Sequence, residues 1–163
     1  MIKGKKSNFV AKYVSMGLLF FSIGLCLQTN AAFAHCQVPC GIYDDKARFH
    51  EMLEHVETIR KARNMIVSLE SPKEGEKVNY NQIVRWVNTK EEHASKIQNI
   101  ISEYFLTQKI KLNAKKKKRT KYLDLCHKIL VHAMKCKQSL DQKYYDDLKN
   151  NINEFKELFN RKK

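Results

Sequence analysis

The residues best suited to chemistry in this 163-residue chain are consecutive: His35-Cys36-Gln37-Val38-Pro39-Cys40-Gly41-Ile42-Tyr43. They follow Ala32-Phe33-Ala34, a small-x-small signal-peptidase site. Cleavage after Ala34 would make His35 the first residue and give it a free α-amine, which titrates near about pH 8 and is available as a ligand at neutral pH. That one step gathers an amine, an imidazole, the Cys36 backbone amide and the thiolates of Cys36 and Cys40. Displacing the amide proton closes chelate rings between the amine and the first thiolate. Amine, amide nitrogen and two thiolates define a square plane, with the His35 imidazole above it. Such donors suit nickel(II) or copper(II) better than zinc, which prefers a tetrahedron. Anionic amide and thiolate donors also stabilise a higher oxidation state, so nickel held there can cycle between +2 and +3. Pro39 sets the turn that returns Cys40 towards Cys36, and Gly41 lets the chain leave it without a side-chain clash.

What precedes the hook reads as a leader. Lys3, Lys5, Lys6 and Lys12 make a basic start, and Val14 to Leu27 is a largely apolar run, shorter than the roughly 20 residues a spanning helix needs. Residues 1–34 are therefore expected to be a cleaved signal peptide and 35–163 the hook and its domain, exported and without a stable membrane anchor. Cleavage removes four of the 31 basic residues and none of the 17 acidic ones, taking the formal net charge from +14 to +10. That balance favours an anionic partner. Nucleic acid is not expected: the basic run Lys115–Lys118 has only Tyr122 as an aromatic neighbour. The run is either a solvated connection or an electrostatic guide for a small anion.

The elements that must hold the hook are helical, for apolar residues recur at helical spacing with no useful strand-like alternation. Asp44-Asp45 opens a first helix, with Phe49, Met52, Leu53, Val56, Ile59, Ala62, Ile66 and Leu69 inward, and Ser71-Pro72 and Gly75 end it. A second is expected from near Asn79 to about Leu112, through Ile83, Val84, Val87, Ala94, Ile97, Ile101, Tyr104 and Phe105. The lysine run breaks the pattern. It resumes at Tyr122, Leu125, Ile129, Leu130, Ala133 and Met134 in a third helix ending near Lys137. A fourth spans about Ser139 to Asn160, with Leu140, Tyr144, Leu148, Ile152, Phe155, Leu158 and Phe159 inward. The expected fold is all-α: an antiparallel, up-down-up-down four-helix bundle with an N-terminal metal-binding hook. Cys126 and Cys136 lie on one helix, ~15 Å apart along its axis, too far to bridge, and read as small buried apolar residues. In an exported chain the alternative for Cys36 and Cys40 is a disulfide with each other. His50, His55, His127 and His132 read as surface or satisfied interior groups, and Trp86 as core or subunit interface.

The motif His-Cys-x-x-Pro-Cys-Gly-x-Tyr, exposed by cleavage before its His and followed by a four-helix bundle, resembles nickel superoxide dismutase. It matches at His35, Cys36, Pro39, Cys40, Gly41 and Tyr43. The resemblance implies a nickel ion held by the His35 amine and ring, the Cys36 amide and thiolate and the Cys40 thiolate. It implies Tyr43 at the mouth, ordering water or the incoming superoxide, and Glu51 supporting the axial imidazole through its other ring nitrogen. That support is completed in the family by a basic residue on the second helix. Here His93 falls where Arg is expected, leaving Lys90 or Arg85 as substitutes, and Gln37 stands where the best-known members have Asp. A homohexamer and a processing peptidase are further implications. The competing reading is a secreted copper- or nickel-binding helical module without turnover.

Overall fold

The computed structural model describes residues 41–161. Helix α1 is Asp45–Glu70, α2 is Tyr80–Asn99 continued by a π-helical segment Ile100–Lys109, α3 is Lys116–Gln138 and α4 is Gln142–Asn160. Each helix packs on the next, and α4 returns to α1, closing a four-helix bundle with no strand among the described residues. No described helix is long and apolar enough to cross a membrane.

The caps explain where the helices start. Asp44 Oδ1 accepts the Lys46 amide at 3.1 Å, Asn79 Oδ1 accepts Gln82 at 3.1 Å and Asp141 Oδ1 accepts Lys143 at 2.9 Å. Gly75, at φ +86°, makes the turn between α1 and α2 in the left-handed region that side chains disfavour. The inward faces meet in a core led by Phe49, Phe105, Tyr122 and Phe155, with Phe159 at its edge. Phe49 and Phe105 ring centroids are 4.8 Å apart, and Phe155 meets Phe105 edge-on at 4.9 Å. Cys126 and Cys136 are buried free thiols in this core, as expected, and burial pushes each up to about 12.

Four details depart from the sequence expectation. Helix α3 starts at Lys116, inside the lysine run instead of after it, because lysine is itself a good helix former and Tyr122 and Leu125 anchor the following turns. On α4 Tyr145, not Tyr144, is the fully buried tyrosine, and its hydroxyl donates to Ser139 O at 2.9 Å. Val84 is 56% exposed and Tyr80 72%, since α2 buries nothing before Lys90. Met134 also lies on the exposed side of its stripe.

The second helix ends π-wound. Thr107 Oγ1 donates to Ser102 O at 2.7 Å and the Ile110 amide to Phe105 O at 3.0 Å, both five residues back. This segment buries Ile100, Ile101, Tyr104 and Phe105 and ends beside the start of α1.

Candidate metal centre

His35, Cys36 and Cys40 lie outside the described residues. What the structure describes is the platform that follows them, beginning at Gly41 and Tyr43. Among the described residues, no group of three or more His, Cys, Asp or Glu is arranged to hold a metal.

Tyr43 is fixed just before the Asp44 cap. Its carbonyl is 3.0 Å from the Tyr104 hydroxyl, which also lies 2.7 Å from Asp45 Oδ1, and its ring meets Tyr104 edge-on at 6.3 Å. One hydroxyl carries one proton, so the shorter, charge-assisted contact to Asp45 takes it. Lys109 closes the arrangement 3.0 Å from Asp45. Burial and the Asp45 contact raise the Tyr104 pKa, and hydrogen bonds to Asp45 and Tyr104 raise that of Lys109, so both stay protonated donors at neutral pH. The end of the π segment thereby clamps the start of α1 and the residue that follows the hook.

From Tyr43 a polar strip runs along α1 through Arg48, Glu51 and His55, residues three and four apart and so on one face. The Arg48 guanidinium sits over the Tyr43 ring, 4.6 Å from its centroid, and Arg48 Nη1 is 2.7 Å from Glu51 Oε2. Glu51 Oε1 is 3.9 Å from His55 Nε2, and His55 Nδ1 is 3.1 Å from His93 Nδ1 on α2. The consistent proton arrangement has His93 donating through Nδ1 and His55 carrying its proton on Nε2, facing the carboxylate. Desolvation is the main cause that lowers both histidine pKa values, with charge repulsion adding to it: for His55 from a protonated His93 and from Lys96, and for His93 from Lys96.

Three atoms of this strip are buried without a hydrogen-bond partner: Arg48 Nε, Glu51 Oε2 and His55 Nε2. The 2.7 Å approach of Arg48 Nη1 to Glu51 Oε2 is thus an ion pair without hydrogen-bond alignment. Each such orphan costs about 1–3 kcal/mol. A ring N–H, such as that of a metal-bound imidazole, can pair with Glu51 Oε2 alone among the three, because Arg48 Nε and His55 Nε2 are themselves donors. At that one oxygen the described residues are compatible with the ring N–H of a metal-bound imidazole.

Of the candidates for the basic partner of Glu51, none fills that place. Lys90 is 3% exposed, but its Nζ donates to Cys136 O at 2.8 Å and to Lys137 O, closing the C-terminal end of α3. His93 reaches Glu51 only through His55, and Arg85 is exposed on an earlier turn. The cation beside Glu51 is Arg48, from the same helix. The sequence reading singled out neither Arg48 nor His55 as a support for Glu51, although their helical spacing, three residues before it and four after, is the signal that finds them. That His55 meets His93, 38 residues away, is a product of packing alone. The remaining histidines stay outside the strip: His50 is exposed beside Glu54, His127 is exposed, and His132 contacts Asn151 on α4.

A family model for nickel-containing superoxide dismutase matches residues 30–163, from before the hook to the last residue. The chain belongs to this family. Comparison with curated proteins and with solved structures gives no match. Membership makes the chain a superoxide dismutase, an oxidoreductase with a nickel cofactor, and so favours an enzyme over a metal-holding module without turnover.

Proposed function

We propose that the chain dismutes superoxide at a nickel ion held by the His35 amine and ring, the Cys36 amide and thiolate and the Cys40 thiolate, after cleavage between Ala34 and His35 and export. Nickel bound there supplies the one-electron couple between +2 and +3 by which two superoxide anions and two protons become O2 and H2O2. The chain's residues do the rest. Glu51 accepts a hydrogen bond from the His35 ring and holds its orientation. Tyr43 stands at the mouth, where its hydroxyl orders water or the incoming anion and so places a proton donor beside the reduced oxygen. Superoxide offers little surface to bind, so rate depends on guided access. The basic connection and helix start bearing Lys111 and Lys115–Lys117 follow the π segment at the same end of the bundle as Tyr43, since Lys109 pairs with Asp45 there.

The observation that carries this reading is the family match beginning at residue 30, which spans the complete hook. The buried Glu51 Oε2, which lacks a hydrogen-bond partner, adds a structural reason for an imidazole N–H to dock there. The homohexamer is proposed on the resemblance, and the exposed Tyr80 and Val84 give it apolar surface to bury. The test is substitution of the thiolates. Cys36→Ser and Cys40→Ser should each lose bound nickel and dismutation together with the bundle's helicity unchanged. Either variant retaining one nickel per chain and full activity contradicts the assignment.

A further inference from the structure

Arg48 does two things at once. The face of its guanidinium covers the Tyr43 ring at 4.6 Å, while its edge meets the Glu51 carboxylate at 2.7 Å. Its side chain is only 25% exposed, and Nε is buried without a hydrogen bond. A solvated pair three residues apart on a helix needs neither the stacked ring nor the buried nitrogen. Only a planar cation presents a face to an aromatic and an edge to a carboxylate simultaneously; a lysine ammonium offers a point charge. The second helix, meanwhile, has its own polar groups engaged elsewhere: Lys90 on the α3 carbonyls and His93 on His55. On the far side of Glu51, His55 Nε2 faces the other oxygen at 3.9 Å, so the carboxylate is bracketed.

We propose that Arg48 is a positioning residue for dismutation, locking the Tyr43 ring and the Glu51 carboxylate into one unit at the hook's end of the bundle. The inference rests on the reading that Tyr43 and Glu51 serve the nickel site. Arg48 acts through them and touches no substrate. It replaces, from within α1, the cation that the resemblance places on the second helix.

The experiment compares R48M and R48K with Y43F and E51Q in the nickel-loaded protein, measuring nickel content, melting temperature and kcat/KM. The Tyr43 ring resonances are followed by NMR in the metal-free protein. R48M should keep its nickel, lose about tenfold in kcat/KM, and move the Tyr43 ring shifts towards free-tyrosine values before any metal is added. R48K should recover part of the activity but not the ring shifts. Unchanged ring shifts and activity in R48M, beside Y43F and E51Q that lose activity, would overturn the role of Arg48 and leave the site reading intact. Full activity in all of the variants would overturn both. A lowered melting temperature with unchanged kcat/KM per folded molecule would reduce Arg48 to a structural residue and likewise overturn the proposal.

Discussion

Removing one oxygen atom, in Tyr104→Phe, tests how the bundle holds the residue that follows the hook. The hydroxyl lies 2.7 Å from Asp45 Oδ1 and 3.0 Å from Tyr43 O, while the ring is buried against Phe105 at a centroid distance of 5.1 Å. Phenylalanine keeps that packing, so no cavity forms and the loss is confined to polar contacts. A hydrogen bond to a charged acceptor contributes roughly 1.5–3 kcal/mol. Asp45 is not stranded, because Lys109 remains 3.0 Å away, which places the expected cost at the lower end, about 1.5 kcal/mol. For a domain of this size that is a fall of roughly 5 °C in melting temperature. Helicity followed at 222 nm against temperature and urea, on metal-free protein, reads it directly. Because Lys109 shares Asp45, Tyr104→Phe and Lys109→Met should be non-additive by at least about 0.5 kcal/mol in a double-mutant cycle. A Tyr104→Phe cost below about 0.5 kcal/mol, or strict additivity with Lys109→Met, would refute the clamp between the π segment and the start of α1.

The histidine pair makes stability depend on pH. Both pKa values are lowered in the folded chain, so the unfolded chain binds more protons below the ordinary value of about 6.5. The pair's contribution is thus complete above pH 6.5 and is lost as pH falls through the folded values. His55→Gln/His93→Gln should flatten the urea-midpoint profile below about pH 6.5, and an unchanged slope would count against the neutral pair. For guidance, replacing the exposed Lys115, Lys116 and Lys117 with Gln should lower kcat/KM for superoxide about two- to fivefold at low salt. The difference should vanish as salt shortens the screening length to about 3 Å at 1 M. A salt-independent difference, or none at low salt, would leave the run as a solvated helix start.

Much of this architecture was legible because periodicity and caps agree. Asp44 and Asn79 mark real helix starts, and Phe49 through Ile66 trace the buried face of α1 at the expected spacing. The π winding of Ile100–Lys109 was not legible, since Ile101, Tyr104 and Phe105 fit an ordinary helix equally well in sequence. The lysine run misled for an electrostatic reason. Four like charges at the positive end of a helix dipole are unfavourable, and α3 begins there because burial of Tyr122 and Leu125 outweighs them. The hook lies outside the described residues, and the proposal for it rests on adjacent donors, which are a local signal in sequence. Its support is not local. Glu51 was singled out only through the resemblance, whereas the stack of Arg48 on Tyr43 and the meeting of His55 with His93 depend on how the chain turns and how two helices pack.

The central claim is that the α-amine of His35 is a metal ligand, so activity depends on where the chain begins. The decisive measurement is nickel content and superoxide dismutation for the chain starting at His35, beside the same chain starting at Ala34. One nickel per chain and activity in the first, with activity abolished in the second, is the predicted result. Equal nickel and equal activity in both forms would contradict the account, because the free amine would then not be required.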